Sequence, residues 1–405
     1  MNPITIVDAR MGRGKTTAAI DYMTKNRSAK RFLYITPYLD EVSRVCEQCD
    51  FDQPDGKLST KTSALKRMLH QRKNIVATHS LFLHLDEEAL SLIHDNRYAL
   101  IIDESLQSIL KVQVSKKDLD LILSQMVTED EHGMIHWIDE EYVGKFSDYK
   151  RLADSNSLFH LDSVLIYLMN PRMLEAFDEV IMMTYLFEGQ YQRAYMDYFG
   201  FEYRIIGVTR TPSGCSFSDA PDCPSPTNFN SLIHIVSAPR MNEIGKARNA
   251  LSKTWYSARG YHHPDIKALR NNMKNFFQHI PGGNANSRIW TTFLDSKEKL
   301  IDAKTGRFRY GFLQLGAKAT NVYRNRTDVA YMVNRFMDPN ISKMFCMEKV
   351  AVNNDSFALS EMLQWIWRSA IRDGREINLY IPSRRMRDLL TGWMDSISEG
   401  NTACA

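Results

Sequence analysis

The stretch that most constrains this chain is Ile4-Thr-Ile-Val-Asp-Ala-Arg-Met-Gly-Arg-Gly-Lys-Thr-Thr17. It reads as a short apolar strand, a turn built on Gly12 and Gly14, and the start of a helix. Such a turn aims several backbone N–H groups at one point, at the positive end of a helix dipole. That arrangement suits the β- and γ-phosphates of a nucleotide. Lys15 would reach the phosphates as a point charge, and Thr16 would offer a hydroxyl to Mg²⁺. Met11, Gly12, Arg13, Gly14, Lys15, Thr16 and Thr17 are therefore the expected nucleotide-binding residues. Ala9 stands where the common GxxxxGK[ST] form carries glycine.

A second motif belongs with the first. Ala99-Leu-Ile-Ile-Asp-Glu-Ser105 is an apolar strand ending in two adjacent acids. Ligands gather at the carboxyl ends of strands in a parallel sheet, so Asp103 and Glu104 are expected beside the glycine turn. Asp103 would hold the water shell of Mg²⁺, and Glu104 would orient or activate an attacking water.

At 405 residues the chain is long for one core, and two domains are expected. Apolar runs recur at Ile4–Val7, Phe32–Ile35, Asn74–Ala77, Leu100–Ile102, Val180–Met183 and Tyr203–Val208. Helical patterns such as Thr16–Thr24 and Leu39–Cys46 follow several of them, which predicts βα units and a parallel sheet covered on both faces. Thr209–Asn230 carries Pro212, Pro221, Pro224 and Pro226 without a hydrophobic period and reads as a linker. Alternation resumes at Leu232–Val236, Arg288–Thr292, Gly311–Leu315 and Ile377–Ile381. The expected class is α/β, with domains at 1–210 and 231–405 joined by 211–230. Glu129–Trp137 and Lys145–Arg151 mix polar and aromatic residues unlike a plain βα unit, so an insertion is expected at about 106–178.

Hydrophobic content of 44% with 24% charged residues fits a globular protein. No apolar run approaches the roughly 20 residues of a membrane span, and Asp8 cuts off the only N-terminal apolar run. A cytoplasmic location is expected, without membrane partners. Cys46 and Cys49 form a CxxC with no second close pair, so free thiols are expected rather than zinc ligands. His132, His136, His262 and His263 read as surface or packing histidines. The net charge is +3, but acids outnumber bases 16 to 7 from Asp86 to Asp154, and bases outnumber acids 8 to 2 from Arg240 to Lys274. Ala303–Arg326 has 6 bases and no acid, and a basic second half suits a polyanion. Trp255, Tyr256, Tyr261, Phe276 and Phe277 lie among these bases and read more readily as core than as base-stacking groups. Ser383–Arg387 is a second basic candidate.

Together the motifs resemble superfamily 2 helicases, especially the phage DEAD/DEAH-box-type and herpesvirus origin-binding-type helicase-like ATPases. Phe32-Leu-Tyr-Ile-Thr-Pro37 is similar to motif Ia, and Asn74-Ile-Val-Ala-Thr-His-Ser80 to the strand and loop that follow it. Ile181-Met-Met-Thr-Tyr185 occupies the place of motif III, with Thr184 as its match. Arg288-Ile-Trp-Thr-Thr-Phe293 resembles motif IV and Gly316-Ala-Lys-Ala-Thr-Asn321 motif V. Gln364-Trp-Ile-Trp-Arg-Ser-Ala-Ile-Arg372 resembles motif VI, the arginine-finger helix. Arg368 and Arg372 are four apart, an offset that keeps two side chains on one helical face.

The resemblance implies two RecA-like parallel-sheet domains in tandem, with ATP and Mg²⁺ as cofactors. It implies catalytic roles for Lys15, Asp103, Glu104, Gln364, Arg368 and Arg372, and Mg²⁺ held by Thr16 and Asp103. Nucleic-acid contacts would come from Thr36, Pro37, Thr78, Thr292, Thr320 and Asn321. The implied activity is an ATP-dependent helicase or translocase on single-stranded or forked nucleic acid, DNA favoured, in phage genome replication or recombination with replication-protein partners. The eight residues before Ala9 leave no room for the glutamine motif that reads adenine, so base selectivity stays open. A non-unwinding NTPase that loads or remodels complexes, and a terminase-type packaging motor, share the same nucleotide residues.

Overall fold

A computed structural model describes residues 3–56, 60–212, 214–220, 229–279, 284–303, 305–316 and 321–398. The chain forms two compact units, Met1–Pro221 with Met337–Asn353, and Asp222–Phe336 with Asn354–Ala405.

The outer framework of the first unit begins with β1 (Ile4–Asp8), β2 (Arg31–Thr36), β3 (Ile75–Thr78) and β4 (Tyr98–Asp103). An excursion then supplies β5 (Ile109–Val112), β6 (Val127–Glu129), β7 (Ile135–Trp137), β8 (Leu158–Leu161) and β9 (Val164–Leu168). The framework resumes with β10 (Glu179–Thr184), β11 (Tyr203–Thr211) and β12 (Gly214–Ser218). Among the described residues seven strands form one sheet in the order β12-β11-β1-β10-β4-β2-β3, parallel except for the β11–β12 hairpin.

Alternation along the strands builds a core on each face. Ile4, Ile6, Leu33, Ile35, Leu100, Ile102 and Met182 share one core; Val7, Phe32, Tyr34, Ile101 and Met183 share the other with Ala18, Ala19 and Val45 of the covering helices. Into the first core comes the helix Pro339–Met347, through Ile341, Met344 and Phe345. Residues 337–353 were expected within the domain at 231–405, yet they pack with the first unit.

The excursion has its own small core of Leu119, Ile122, Val127, Ile135, Phe146, Leu158 and Leu165. Its strands are antiparallel, in the order β5-β9-β8 with a separate β6–β7 pair.

The expected linker departs from the structure at its start. Residues 214–218 are a sheet strand, with Cys215 and Phe217 packed against the core and the Phe217 ring 5.8 Å from that of Tyr22. Cys215 and Phe217 alternate with serines, a period-2 signal that the surrounding prolines hid. Residues 221–228 lie outside the described residues.

In the second unit β13 (Ile233–Ile235), β14 (Arg288–Thr291), β15 (Asp328–Tyr331) and β16 (Ile377–Tyr380) form a parallel sheet in the order β13-β16-β15-β14. Gly311–Leu315, expected as a strand, makes only a bridge from Phe312 to Trp290. Gly311 has a φ of +90°, outside strand geometry, and its lack of a Cβ permits the close approach to β14, where a Cβ would come within 2.8 Å of the Arg288 carbonyl oxygen. The strand in the sheet is instead β15. The helix Pro264–His279 buries Ile266, Leu269, Met273, Phe276 and Phe277, which with Tyr256 are core. Trp255 and Tyr261 lie beneath the guanidinium groups of Arg259 and Arg270, at 4.3 Å and 4.0 Å. In the basic run after β16, Arg385 and Arg387 are bonded inward, to Asn334 Oδ1 at 2.9 Å and to the Ile381 carbonyl at 2.6 Å. No helix among the described residues is long and apolar enough to cross a membrane.

Candidate nucleotide site

β1 ends at Asp8, and after the turn the helix Lys15–Asn26 begins. Gly12 and Gly14 have φ of +77° and +91°, a left-handed backbone that glycine adopts without cost from a Cβ. Gly14 is the helix N-cap and no side chain caps the helix there, so its first N–H groups face the turn. A Cβ on Gly14 would meet Cys215 Sγ at 2.5 Å, whereas nothing lies within 4 Å of a Cβ on Gly12. Arg210 on β11 donates from Nη2 to the Gly12 carbonyl at 2.7 Å. Lys15 is folded back on its own loop, donating to the Ala9 carbonyl and, at 3.3 Å, to that of Arg10. Burial lowers the pKa of its ammonium against the pull of the Asp103, Asp8 and Glu104 carboxylates. Met11, Arg13 and Thr16 are half-buried, and Thr17 is exposed.

Asp103 closes β4, buried on the same face of the sheet as the Lys15–Asn26 helix, and accepts a hydrogen bond from the Tyr34 hydroxyl at 2.7 Å. Burial first, then the charge of Glu104, pushes its carboxyl up to about 7 against that bond and Lys15. Glu104 is exposed, has a φ of +63°, and accepts from the Tyr38 hydroxyl at 2.6 Å.

Between β1 and β4 runs β10, which ends at Thr184. The Ala9 N–H donates to the Thr184 carbonyl at 3.1 Å, and the Thr184 hydroxyl pairs with the Gln190 carboxamide at 2.8 Å. Asp8 grips the following turn, accepting the N–H groups of Leu186 and Phe187 at 2.9 Å each. Burial raises its pKa, while those two N–H groups and Lys15 act to lower it. Motif reading missed Asp8, Tyr34, Tyr38, Gln190 and Arg210, since each acts through a partner distant in sequence or outside any motif.

The expected strand contacts differ in access. Thr36 and Thr292 are wholly covered. Pro37 and Thr78 are half-buried, and the Thr78 hydroxyl caps the next helix by accepting from the Leu81 N–H at 3.2 Å. Asn321 opens a 3-10 turn, while its side chain and the whole of Thr320 lie outside the described residues.

The motif VI segment is not one helix. The helix Asn354–Ile366 carries Gln364, whose Nε2 donates to Ser360 Oγ at 3.3 Å, and stops before Arg368. Ser369 is extended and its hydroxyl donates to the Ile366 carbonyl at 2.7 Å; the Ala370 N–H bonds the Arg326 carbonyl at 2.8 Å instead of continuing the helix. Arg368 is half-buried in the turn, and Arg372 is exposed on the 3-10 turn Ala370–Asp373. The shared helical face expected for the two arginines is therefore absent.

A parallel sheet with a glycine turn after β1 and an acid pair at the end of β4, followed by a second parallel-sheet unit, is a tandem RecA-like architecture. Solved structures agree on that fold. Apo XPD aligns with 98% of this chain and 96% of its own at a TM-score of 0.50 and 12% identity, and the S. tokodaii Xpd4 structure with 97% and 94% at 0.52 and 11%. Within sequences, the chain is 36% identical over 415 residues to the SPbeta prophage-derived uncharacterized protein YonV of Bacillus subtilis (strain 168), covering 98% of this chain and 100% of that protein. The chain belongs to the YonV family. The YonV middle domain matches residues 109–167, within the excursion, and the YonV C-terminal Rossmann-like domain matches residues 227–394.

Proposed function

We propose that the protein is a nucleic-acid-stimulated ATPase that translocates on a single or forked strand, DNA favoured, in phage genome replication or recombination. The observation that carries this reading is that the glycine turn after β1 and the acids Asp103 and Glu104 at the end of β4 lie at the carboxyl ends of strands of one parallel sheet. The residues present fit the implied ligands. The turn has open space beside Gly12 and an uncapped helix start at Gly14, which suits phosphate. An acid and a hydroxyl, Asp103 and Thr16, make a hard oxygen donor set for Mg²⁺. Bound there, Mg²⁺ would supply charge neutralisation on phosphate oxygens.

The chain's own residues would do the rest. Lys15 leaves its backbone carbonyls and offsets charge on the transferred phosphoryl group. Glu104 orients the water that adds to the γ-phosphorus and takes its proton, as the bond to the bridging oxygen breaks and ADP departs. Gln364, Arg368 and Arg372 are the second unit's candidates for stabilising the developing charge. Pro37 and Thr78 are proposed as strand contacts ahead of Thr36 and Thr292, since both are half-buried where those two are covered.

ATP turnover with and without single-stranded DNA or RNA tests the reading, with stimulation expected. No turnover under either condition removes the ATPase; turnover that neither strand raises removes the nucleic-acid role. A second reading, an NTPase that remodels protein–nucleic-acid complexes without unwinding, draws support from the excursion. It has its own core and exposes Ile138 and Val143 at 60% and 92%. Strand displacement by an ATP-hydrolysing preparation would decide against it.

A further inference from the structure

Two tyrosines from one short stretch each place a hydroxyl on one of the two adjacent acids. Tyr34 reaches Asp103 Oδ2 at 2.7 Å, and Tyr38 reaches Glu104 Oε2 at 2.6 Å. Between them lie Ile35, Thr36 and Pro37, the segment that resembles a strand-contacting motif. Pro37 fixes its own φ and restrains Thr36, so the link between the tyrosines is short and stiff.

The two rings differ in freedom. Tyr34 is fully buried in the core beside the Lys15–Asn26 helix. Tyr38 is half-buried at the N-cap of the helix Leu39–Cys49, where the chain leaves the sheet. Glu104 holds a left-handed backbone at φ +63°, a conformation that persists in a residue with a side chain only where its surroundings fix it. Its bond to Tyr38 is one such restraint.

We propose that Tyr38 is a positioning residue that holds Glu104 in a resting orientation and ties its release to occupancy of the neighbouring Pro37 by a strand. The inference rests on the ATPase reading and names how that site is regulated. A carboxylate engaged by a phenol has one oxygen already taken and its orientation set. A nucleic-acid backbone seated on Pro37 shifts the link to Tyr38, draws the hydroxyl away and frees Glu104 for the attacking water. Tyr34, sealed in the core, keeps Asp103 in place throughout. Metal holding and water activation are thereby controlled by separate hydroxyls.

The test is steady-state ATP turnover of the full chain carrying Tyr38→Phe, with and without a single-stranded oligonucleotide. Strand-free turnover should rise about three- to ten-fold, the scale of one net hydrogen bond, while KM for ATP holds and stimulation by the strand shrinks to match. Tyr34→Phe should instead raise the Mg²⁺ concentration needed for half-maximal turnover. A Tyr38→Phe protein that melts like wild type and keeps the wild-type stimulation ratio overturns the inference but leaves the ATPase reading standing. So does a parallel fall in both rates. If Tyr38→Phe melts early, Tyr38→His, which keeps a ring and a donor, must preserve the low strand-free rate, and a raised rate there also overturns it. A wild-type protein without turnover removes both readings together.

Discussion

Gly14 shows how much one missing side chain carries. Its φ of +91° disfavours any Cβ, and a Cβ there would also collide with Cys215 Sγ. Gly14→Ala is expected to cost about 1–3 kcal/mol of stability and to abolish nucleotide binding. Adding Cys215→Ala should recover only the steric part, so thermal melting of the double variant must fall between wild type and Gly14→Ala. A double variant no more stable than Gly14→Ala would show that Cys215 does not crowd the loop. Asp8 offers a second check. Asp8→Ala leaves the partly buried N–H groups of Leu186 and Phe187 without their acceptor, at a cost of about 1–3 kcal/mol by chemical denaturation. The placement of Lys15, Thr16, Asp103 and Glu104 was legible because the glycine turn and the acid pair are each read from neighbours in sequence. Asp8, Tyr34, Tyr38 and Arg210 were not, because each gains its role only once β1, β2, β10 and β11 lie beside their partners.

Elements were legible where period and composition agreed. β1, β2, β4 and β10 are nearly continuous apolar runs buried on both faces, as a central parallel sheet requires. β15 was hidden behind a basic run, and β12 behind prolines. The motif VI helix failed for a tertiary reason: the Ala370 N–H is drawn to the Arg326 carbonyl, and Arg324 binds Asp373 at 2.6 Å, so the chain turns where sequence spacing predicts a helix. The helix Pro339–Met347 was equally unforeseeable, since amphipathicity does not say which core it joins. Phe345, fully buried in the first unit's core, gives that packing a measurable consequence. Phe345→Ala should cost about 3–5 kcal/mol, with hydrogen-exchange protection lost in β1 and β4 and retained in β14 and β15. Equal loss in both sets of strands would contradict the assignment of this segment to the first unit.

For the whole molecule, the near-neutral total charge conceals a basic stretch from Ala303 to Arg326 and an acidic one from Asp86 to Asp154. A strand gripped through its backbone should be released by salt. With about four phosphates engaged, affinity for a single strand should fall about 50-fold between roughly 50 and 200 mM salt. Affinity that ignores salt would exclude phosphate contact as the source of binding. The central claim is most directly tested by ATP turnover of the wild-type chain and of Lys15→Ala, each with saturating single-stranded DNA. The wild type should hydrolyse ATP faster with the strand than without it, and Lys15→Ala should be inactive in both conditions. Turnover by Lys15→Ala at the wild-type rate would contradict the account.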